Sequence, residues 1–164
     1  MLELRANEII IVEALKSYLS TDKRPCEVVR QNQVAEVPPY PYVSYTITTP
    51  INTHHGTYSQ AEDGTLYKDV LQTWSFTVQS DDQDEAMSLA LKIHSFFSVV
   101  GVQMLADKKI SVHRVQGVTT RDNLLTIQYE YRNGLDVTFG LLFTIDPQEQ
   151  IFADEIETIN LKEE

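Results

Sequence analysis

The sequence predicts an α+β fold: a single domain with a mostly antiparallel sheet and two α-helices packed on one face. Three observations carry this. Stretches with the period of a strand are grouped together and interrupted by only two stretches with the period of a helix, which is segregation and not βαβ alternation. Residues 71–79 (LQTWSFTVQ) alternate, with Trp74, Phe76 and Val78 on one side and Thr73, Ser75, Thr77 and Gln79 on the other, so this strand has one buried and one polar face. Immediately afterwards Ala86, Leu89, Ala90, Ile93, Phe97 and Val100 recur at spacings of three and four. That is one apolar helix face, and it must cover a sheet.

The chain has 164 residues. This suits one domain spanning 1–164, and a domain of that size buries roughly 70% of its unfolded surface. A hydrophobic content of 42% with 23% charged residues is that of an ordinary globular protein. The formal net charge of −11 argues against a grip on nucleic acid, which needs clustered Lys and Arg. It does not argue against a surface that DNA slides past. Residues 146–164 hold seven acids against one lysine and form an acidic C-terminal extension. Cys26 is the single cysteine, which leaves no disulfide framework or cysteine metal site and fits a reducing compartment. Glu3 and Glu13 bracket the run Ile9–Val12 and no small-residue cleavage site follows, unlike a signal peptide. The apolar runs fall well short of the roughly 20 residues that span a bilayer. Cytoplasmic synthesis and no membrane are expected.

Residues 6–20 predict the first helix. Asn7 is its cap, Ile11, Leu15, Tyr18 and Leu19 form one stripe, and Ile9, Ile10 and Val12 widen it. A turn (20–25) leads to a first strand at 26–34. Pro38, Pro39 and Pro41 then break regular structure around Tyr40 and Tyr42. Such a segment either docks a partner in extended form or is a stiff lead-in to the next strand. Residues 42–49 alternate, with Val43, Tyr45 and Ile47 on one face, and Pro50 ends the strand. Residues 51–67 read as a long hairpin or a loop with Asp63-Gly64 as a tight turn. An excursion of this length, which carries His54, His55 and Tyr58, is suited to gripping a neighbour.

Ser80, with Gln83 three residues on, has the spacing of a capping box. Asp81, Asp82, Asp84 and Glu85 crowd the first turn of the second helix, where its dipole favours negative charge, and Gly101 is its stop. The segment GVQMLADKKI is a turn with a basic pair, Lys108 and Lys109. Residues 110–116 alternate, with Ile110, Val112 and Arg114 on one side. A loop at 119–123 precedes a strand at 124–132 with Leu125, Ile127, Tyr129 and Tyr131 inward. Asn133-Gly134 is a hairpin signal, and residues 135–145 return with Leu135, Val137, Phe139, Leu141, Phe143 and Ile145 inward. Asp146-Pro147 stops that strand, and residues 151–161 form a last short strand or arm.

No chemistry-bearing motif emerges. There is no G-x-S-x-G elbow, P-loop or G-x-G-x-x-G, so no catalytic residue and no cofactor are assigned. His54 and His55 are adjacent, and neighbours on a strand point to opposite faces; no metal is assigned to them. The position of the acids at 81–85 explains them without a metal, and His94 and His113 read as packing or surface residues. Arg121 and Asp122 read as a local ion pair or as a subunit contact.

Five stretches occur in a fixed order over residues 35–145: PPYPYVSYTIT, WSFTVQSDD, a helix ending in HSFF, TTRDN and YEYRNGLDVTF. Together they resemble the neck or tail terminator proteins of tailed bacteriophages. The resemblance implies a non-enzymatic α+β virion protein, assembled in the host cytoplasm, whose subunits form a closed and commonly hexameric ring. It implies that the ring caps the tail tube, stops its growth and joins tail to head, with the tail tube protein and head or neck connector proteins as partners. DNA would pass through the channel without specific binding. Tyr40 and Tyr42 match the family's proline-tyrosine segment, Arg121 and Asp122 its arginine-aspartate loop, and Tyr129, Tyr131 and Arg132 its aromatic strand, all as contact candidates. His54, His55 and Tyr58 join them from the excursion. The acidic extension has no counterpart in these motifs. The alternatives are another head–tail completion or tail tube component, or, from a different class, a small cytoplasmic enzyme or ligand-binding α+β domain. A deep pocket with converging polar groups would favour the last; a flat polar sheet face with a protruding hairpin favours the structural readings.

Overall fold

Two long strands form the spine of the sheet: β4 (Leu66–Ser80) and β8 (Tyr129–Ile145). They pair antiparallel in one unbroken register from Leu66↔Ile145 to Ser80↔Tyr131. The computed structural model describes residues 2–20, 25–31, 36–52, 58–124 and 129–145. The expectations for His54, His55, Leu125, Ile127 and the extension from 146 onward fall outside them.

The single register overturns the hairpin predicted at Asn133-Gly134, which sits in mid-strand opposite Val78 and Thr77. An Asn-Gly pair turns the chain when its two flanks are each other's best partners. Here β4 is long enough to pair with both flanks at once, and the one register buries Leu135, Val137, Phe139 and Leu141. Gly134 is used for space instead of a turn, since a Cβ there would lie 2.6 Å from the Phe76 carbonyl oxygen. The turn at Asp63-Gly64 does form. Gly64 has φ 89, and Asp63 Oδ1 accepts from the Thr65 amide at 2.9 Å, which holds the Asp63 carboxyl below its ordinary value.

On one side of β4 lies β2 (Tyr42–Asn52), antiparallel to it. Outside β2 runs β1 (Glu27–Arg30), parallel to β2 and shorter than the strand predicted from 26. Pro50 does not end β2. It falls in a register irregularity between Thr49 and Asn52, where no ladder donor is required. Three short pieces, β5 (Ser111–Val115), β6 (Thr119–Thr120) and β7 (Asn123–Leu124), follow the far edge of β8. β3 (Ser59–Gln60) closes the turn onto β4. The order is β1-β2-β4-β8-β5, mostly antiparallel as predicted. A bulge at His113 shifts the β5 register. Val112 and Val115 therefore pack on the core and Arg114 is exposed, which reverses the side predicted for Arg114.

The helices lie on the apolar face. α1 (Leu2–Leu19) starts earlier than predicted, so Asn7 is inside the helix and does not cap it; Glu3, Leu4, Arg5 and Ala6 are all good helix formers. α2 (Gln83–Ser95) is capped by Asp82 and not by Ser80: Asp82 Oδ1 accepts from the Glu85 amide at 2.8 Å. Ser80 serves as a relay, accepting from the Asp82 amide at 3.1 Å and donating to Glu85 Oε2 at 2.7 Å. Gly101 does not stop the helix either. α2 runs into a π-helical turn (Phe96–Val100) and then into α3 (Val102–Asp107). The extra residue of the π turn lets both Phe96 and Phe97 face inward. Gly101 lets the Phe96 ring pass close by; a Cβ there would lie 2.5 Å from it. The true stop is Lys109, at φ 61. Its amide bonds to Ala106 O, and the Ile110 amide bonds to Leu105 O, a paired helix termination with Leu105 and Ile110 buried together.

Trp74, Phe76, Phe97 and Phe139 form the centre of the core, with Ile11 and Leu15 from α1 and Ile93 from α2. Trp74 and Phe97 both meet Phe139 edge-on, at 5.6 and 5.3 Å between centroids, a favoured aromatic geometry. The indole N–H donates to Gln72 Oε1 at 2.7 Å, and Gln72 Nε2 donates to the Pro50 carbonyl at 2.9 Å, so the buried glutamine is satisfied at both ends.

Candidate functional site

The other sheet face is polar because the register forces it to be. With odd residues of β8 in the core, Arg132, Gly134, Asp136 and Thr138 stand opposite Gln79, Thr77, Ser75 and Thr73 on the far side. Arg121 lies across this face. Its Nη1 donates to Ser75 Oγ at 2.7 Å and Thr77 Oγ1 at 3.1 Å, and its Nη2 pairs with Asp136 Oδ1 at 3.0 Å. Ser75 Oγ also donates to Asp136 Oδ1 at 2.6 Å. The Arg121 amide bonds to the Arg132 carbonyl, and Asp122 Oδ1 accepts from the Arg132 amide at 2.9 Å. Arg121 and Asp122 are thus tied to β8 and not to each other; the side-chain ion pair is Arg121–Asp136.

A second network adjoins it. Glu130 is only 4% exposed. Its Oε1 accepts from the Tyr40 hydroxyl at 2.8 Å and its Oε2 from Arg132 Nε at 2.6 Å, with Arg132 Nη2 also ion-paired to it. Such charge-assisted bonds are the stronger kind. The Tyr40 and Tyr42 rings stack 5.8 Å apart and 11° from parallel, and the Tyr40–Pro41 bond is cis. Burial, then the bond to Glu130, pushes the Tyr40 phenol up to about 12; burial and the Glu130 charge also raise Tyr42. The proline-tyrosine segment therefore leads into β2 while folding over the polar face. A cavity of about 220 Å³ lies beneath it, lined by Arg30, Tyr42, Ser44, Gln79 and Arg132 among others. With its amide nitrogen turned to the Thr77 and Tyr42 carbonyls, Gln79 donates at 2.7 and 3.2 Å and accepts from Ser44 Oγ at 2.8 Å.

The structure thus brings together Tyr40, Tyr42, Arg121, Asp122 and Arg132 of the predicted residues, and it adds Glu130 and Asp136. The signal for those two was available: Glu130, Arg132 and Asp136 alternate with Tyr131, Leu135 and Val137, placing every charge of β8 on one face. Tyr129 begins β8 opposite Leu124. Tyr58 belongs elsewhere. Its exposed ring lies 5.4 Å from Lys68 Nζ, and Lys68 is seven ladder positions from Ser75, roughly 24 Å.

Among the described residues no group of three His, Cys, Asp or Glu side chains could hold a metal ion, and no described helix is long and apolar enough to cross a membrane. The polar groups of this face are engaged with one another, as in a structural module. Residues 10–164 match the family model described as phage neck terminator protein, and the chain belongs to that family. The resemblance read from five short motifs is thereby shown. The match also takes in the acidic extension, for which those motifs had no counterpart. Membership implies a structural role in the phage neck. No curated protein matches the chain.

Proposed function

We propose that this protein forms a hexameric ring that caps the phage tail tube, ends tail assembly and joins the tail to the head and neck, with no catalytic activity. The observation that carries the ring is a pair of unlike apolar surfaces on one subunit. One is the end of the β2–β4 ribbon, where Ile51, Tyr58 and Tyr67 are exposed; the other is the outer side of α2 through α3, where Met87, Leu91, Val99, Val100 and Met104 are exposed. Apolar patches of this kind mark interaction surfaces, and a closed ring needs two different, complementary patches per subunit. In this reading the excursion with His54, His55 and Tyr58 grips the next subunit. The Tyr40–Glu130–Arg132 and Arg121–Asp136 networks stiffen the polar face, and its exposed Asp122 and Tyr40 edge meet a neck partner together with Tyr129, while Tyr42, only 8% exposed, supports Tyr40 from behind by stacking. The net charge of −11 repels DNA phosphates and keeps a central channel free of binding.

The test is solution mass by light scattering across concentration, negative-stain imaging of the largest species, and mixing with isolated tail tubes. Closed rings with a central hole, alone or seated on tube ends, are expected. A chain that stays monomeric and leaves tube ends bare would overturn the proposal. Rings that bind the head connector but never cap a tube would point instead to another head–tail completion protein.

A further inference from the structure

Asn133-Gly134 makes no turn, yet it remains the most reactive dipeptide of the chain. Of the asparagines in the sequence only Asn133 precedes a glycine. In such a pair the glycine backbone nitrogen can attack the asparagine side-chain amide, because glycine has no side chain to shield that nitrogen or to restrict the backbone around it. A bond forms between the Gly134 nitrogen and Asn133 Cγ, the Cγ–Nδ2 bond breaks, and the amide group leaves with the Gly134 proton as ammonia. Water then opens the resulting five-membered succinimide at one of its two carbonyls. The product at 133 is aspartate or isoaspartate, and the second carries one extra carbon in the main chain. This chemistry is one reason asparagine counts among the thermolabile residues.

The fold opposes the reaction in three ways. Asn133 is only 2% exposed and sits opposite Val78 on the core-facing side of β8. The pair is held from both sides, by Val78 and Thr77 of β4 and by Thr120 and Thr119 of β6; Thr120 Oγ1 donates to Asn133 Oδ1 at 3.4 Å and Thr119 Oγ1 to the Gly134 carbonyl at 3.2 Å. Ring closure needs Asn133 Cβ and the Gly134 nitrogen nearly eclipsed about the Cα–C bond, whereas the ψ of about +135° in an antiparallel ladder holds them roughly 100° apart. We propose that Asn133 is a deamidation site that the native sheet keeps closed and that reacts only when β8 separates from β4, so that prolonged loss of the fold becomes chemically one-way. The products cannot regain the native sheet. Aspartate puts a carboxylate at a core-facing position, where a charge is costly. Isoaspartate lengthens the strand by one backbone carbon and breaks the register that buries Leu135, Val137, Phe139 and Leu141. The long β4–β8 pairing that displaces a hairpin here therefore also protects the chain covalently. This assignment is independent of the ring.

The test is peptide mass spectrometry of the full-length chain after incubation at mildly alkaline pH, once folded and once in urea. In urea, conversion at Asn133 is expected to outrun that at every other asparagine. In the folded chain it should be at least ~10-fold slower, because only the open fraction reacts. When the urea-aged chain is diluted, the refolded fraction should contain intact Asn133, with the converted molecules left unfolded or aggregated. Asn133→Asp, made directly, should lower the ratio of folded to unfolded chain at least ~10-fold, or prevent folding altogether. Equal rates in the folded and denatured chain overturn the proposed protection, and conversion in urea no faster at Asn133 than at the other asparagines overturns the site. Converted molecules that refold, or an Asn133→Asp chain as stable as the unsubstituted one, overturn the one-way step.

Discussion

The Arg121 guanidinium occupies the space that a side chain at Gly134 would need: a Cβ on Gly134 would lie 2.8 Å from Arg121 Nη1. A residue in a loop and a glycine in mid-strand are therefore one device. The glycine clears the polar face, and the arginine bridges Ser75, Thr77 and Asp136 across β4 and β8. Gly134→Ala should destabilise the fold by about 1–3 kcal/mol through overpacking, even though alanine is otherwise better than glycine in a strand by roughly 0.5–1 kcal/mol. Denaturant unfolding measures this. Adding Arg121→Ala should recover little, because the Phe76 carbonyl, 2.6 Å from the same Cβ, blocks the site as well; full recovery would show that the clash is with the arginine alone.

Burial of the Tyr40 phenol, and then its bond to Glu130, make stability fall in alkali. The folded-state phenol titrates at about 12 against an ordinary 10.0. Between those values the native state holds a proton that the unfolded chain has lost, so stability declines as pH rises. The contribution is complete below about pH 10 and disappears as pH passes 12. Tyr42 and Tyr45 are raised as well, and they add in the same direction. Tyrosinate absorbance followed alongside thermal unfolding between pH 9 and 12 (both limits set by the ordinary tyrosine range of about 10) should show late-titrating tyrosines and a falling Tm. Tyr40→Phe should remove one of them and flatten the fall; an unaltered titration curve would place Tyr40 in solvent.

Much of this fold was legible in the sequence wherever one face of an element is buried. The alternation of Trp74, Phe76 and Val78, the second-helix stripe and the Asp63-Gly64 turn all appear where periodicity and turn chemistry put them. What could not be read was the partner of each strand. Asn133-Gly134 carries the local chemistry of a hairpin, but a β4 of 15 residues outcompetes it, and that is a long-range fact. Pro50 and Arg114 were misplaced because bulges shift the parity of a strand without leaving a mark in composition. At the site, Arg121 and Asp122 were found as a pair, yet each bonds to β8. Their true partners, Asp136 and the Arg132 backbone, lie more than ten residues away or on the main chain.

The start of α2 offers a test of cooperativity between caps. Asp82→Ala removes the acceptor for the Glu85 amide and should destabilise by about 1 kcal/mol. Ser80→Ala removes the acceptor of the Asp82 amide and one donor to Glu85 Oε2; because Asp82 is exposed and Glu85 only half-buried, it should cost about 0.5–1.5 kcal/mol. Since both side chains hold the same turn, the double variant should lose less than the sum of the two. Strict additivity would mean that the relay through the Ser80 hydroxyl couples nothing.

Trp74 sets the largest expected loss. It is fully buried between Tyr45, Phe76 and Phe139, and its N–H is the donor that satisfies Gln72 Oε1. Trp74→Ala should cost about 3–5 kcal/mol from lost burial and the cavity left behind. Trp74→Phe keeps most of the ring contact and strands only the glutamine oxygen, so a smaller loss of about 1–3 kcal/mol is expected. Adding Gln72→Leu to Trp74→Phe removes the orphaned acceptor and should return part of that loss. Measured unfolding free energies for the three variants separate packing from polar satisfaction; equal losses for Trp74→Ala and Trp74→Phe would assign the whole effect to the hydrogen bond.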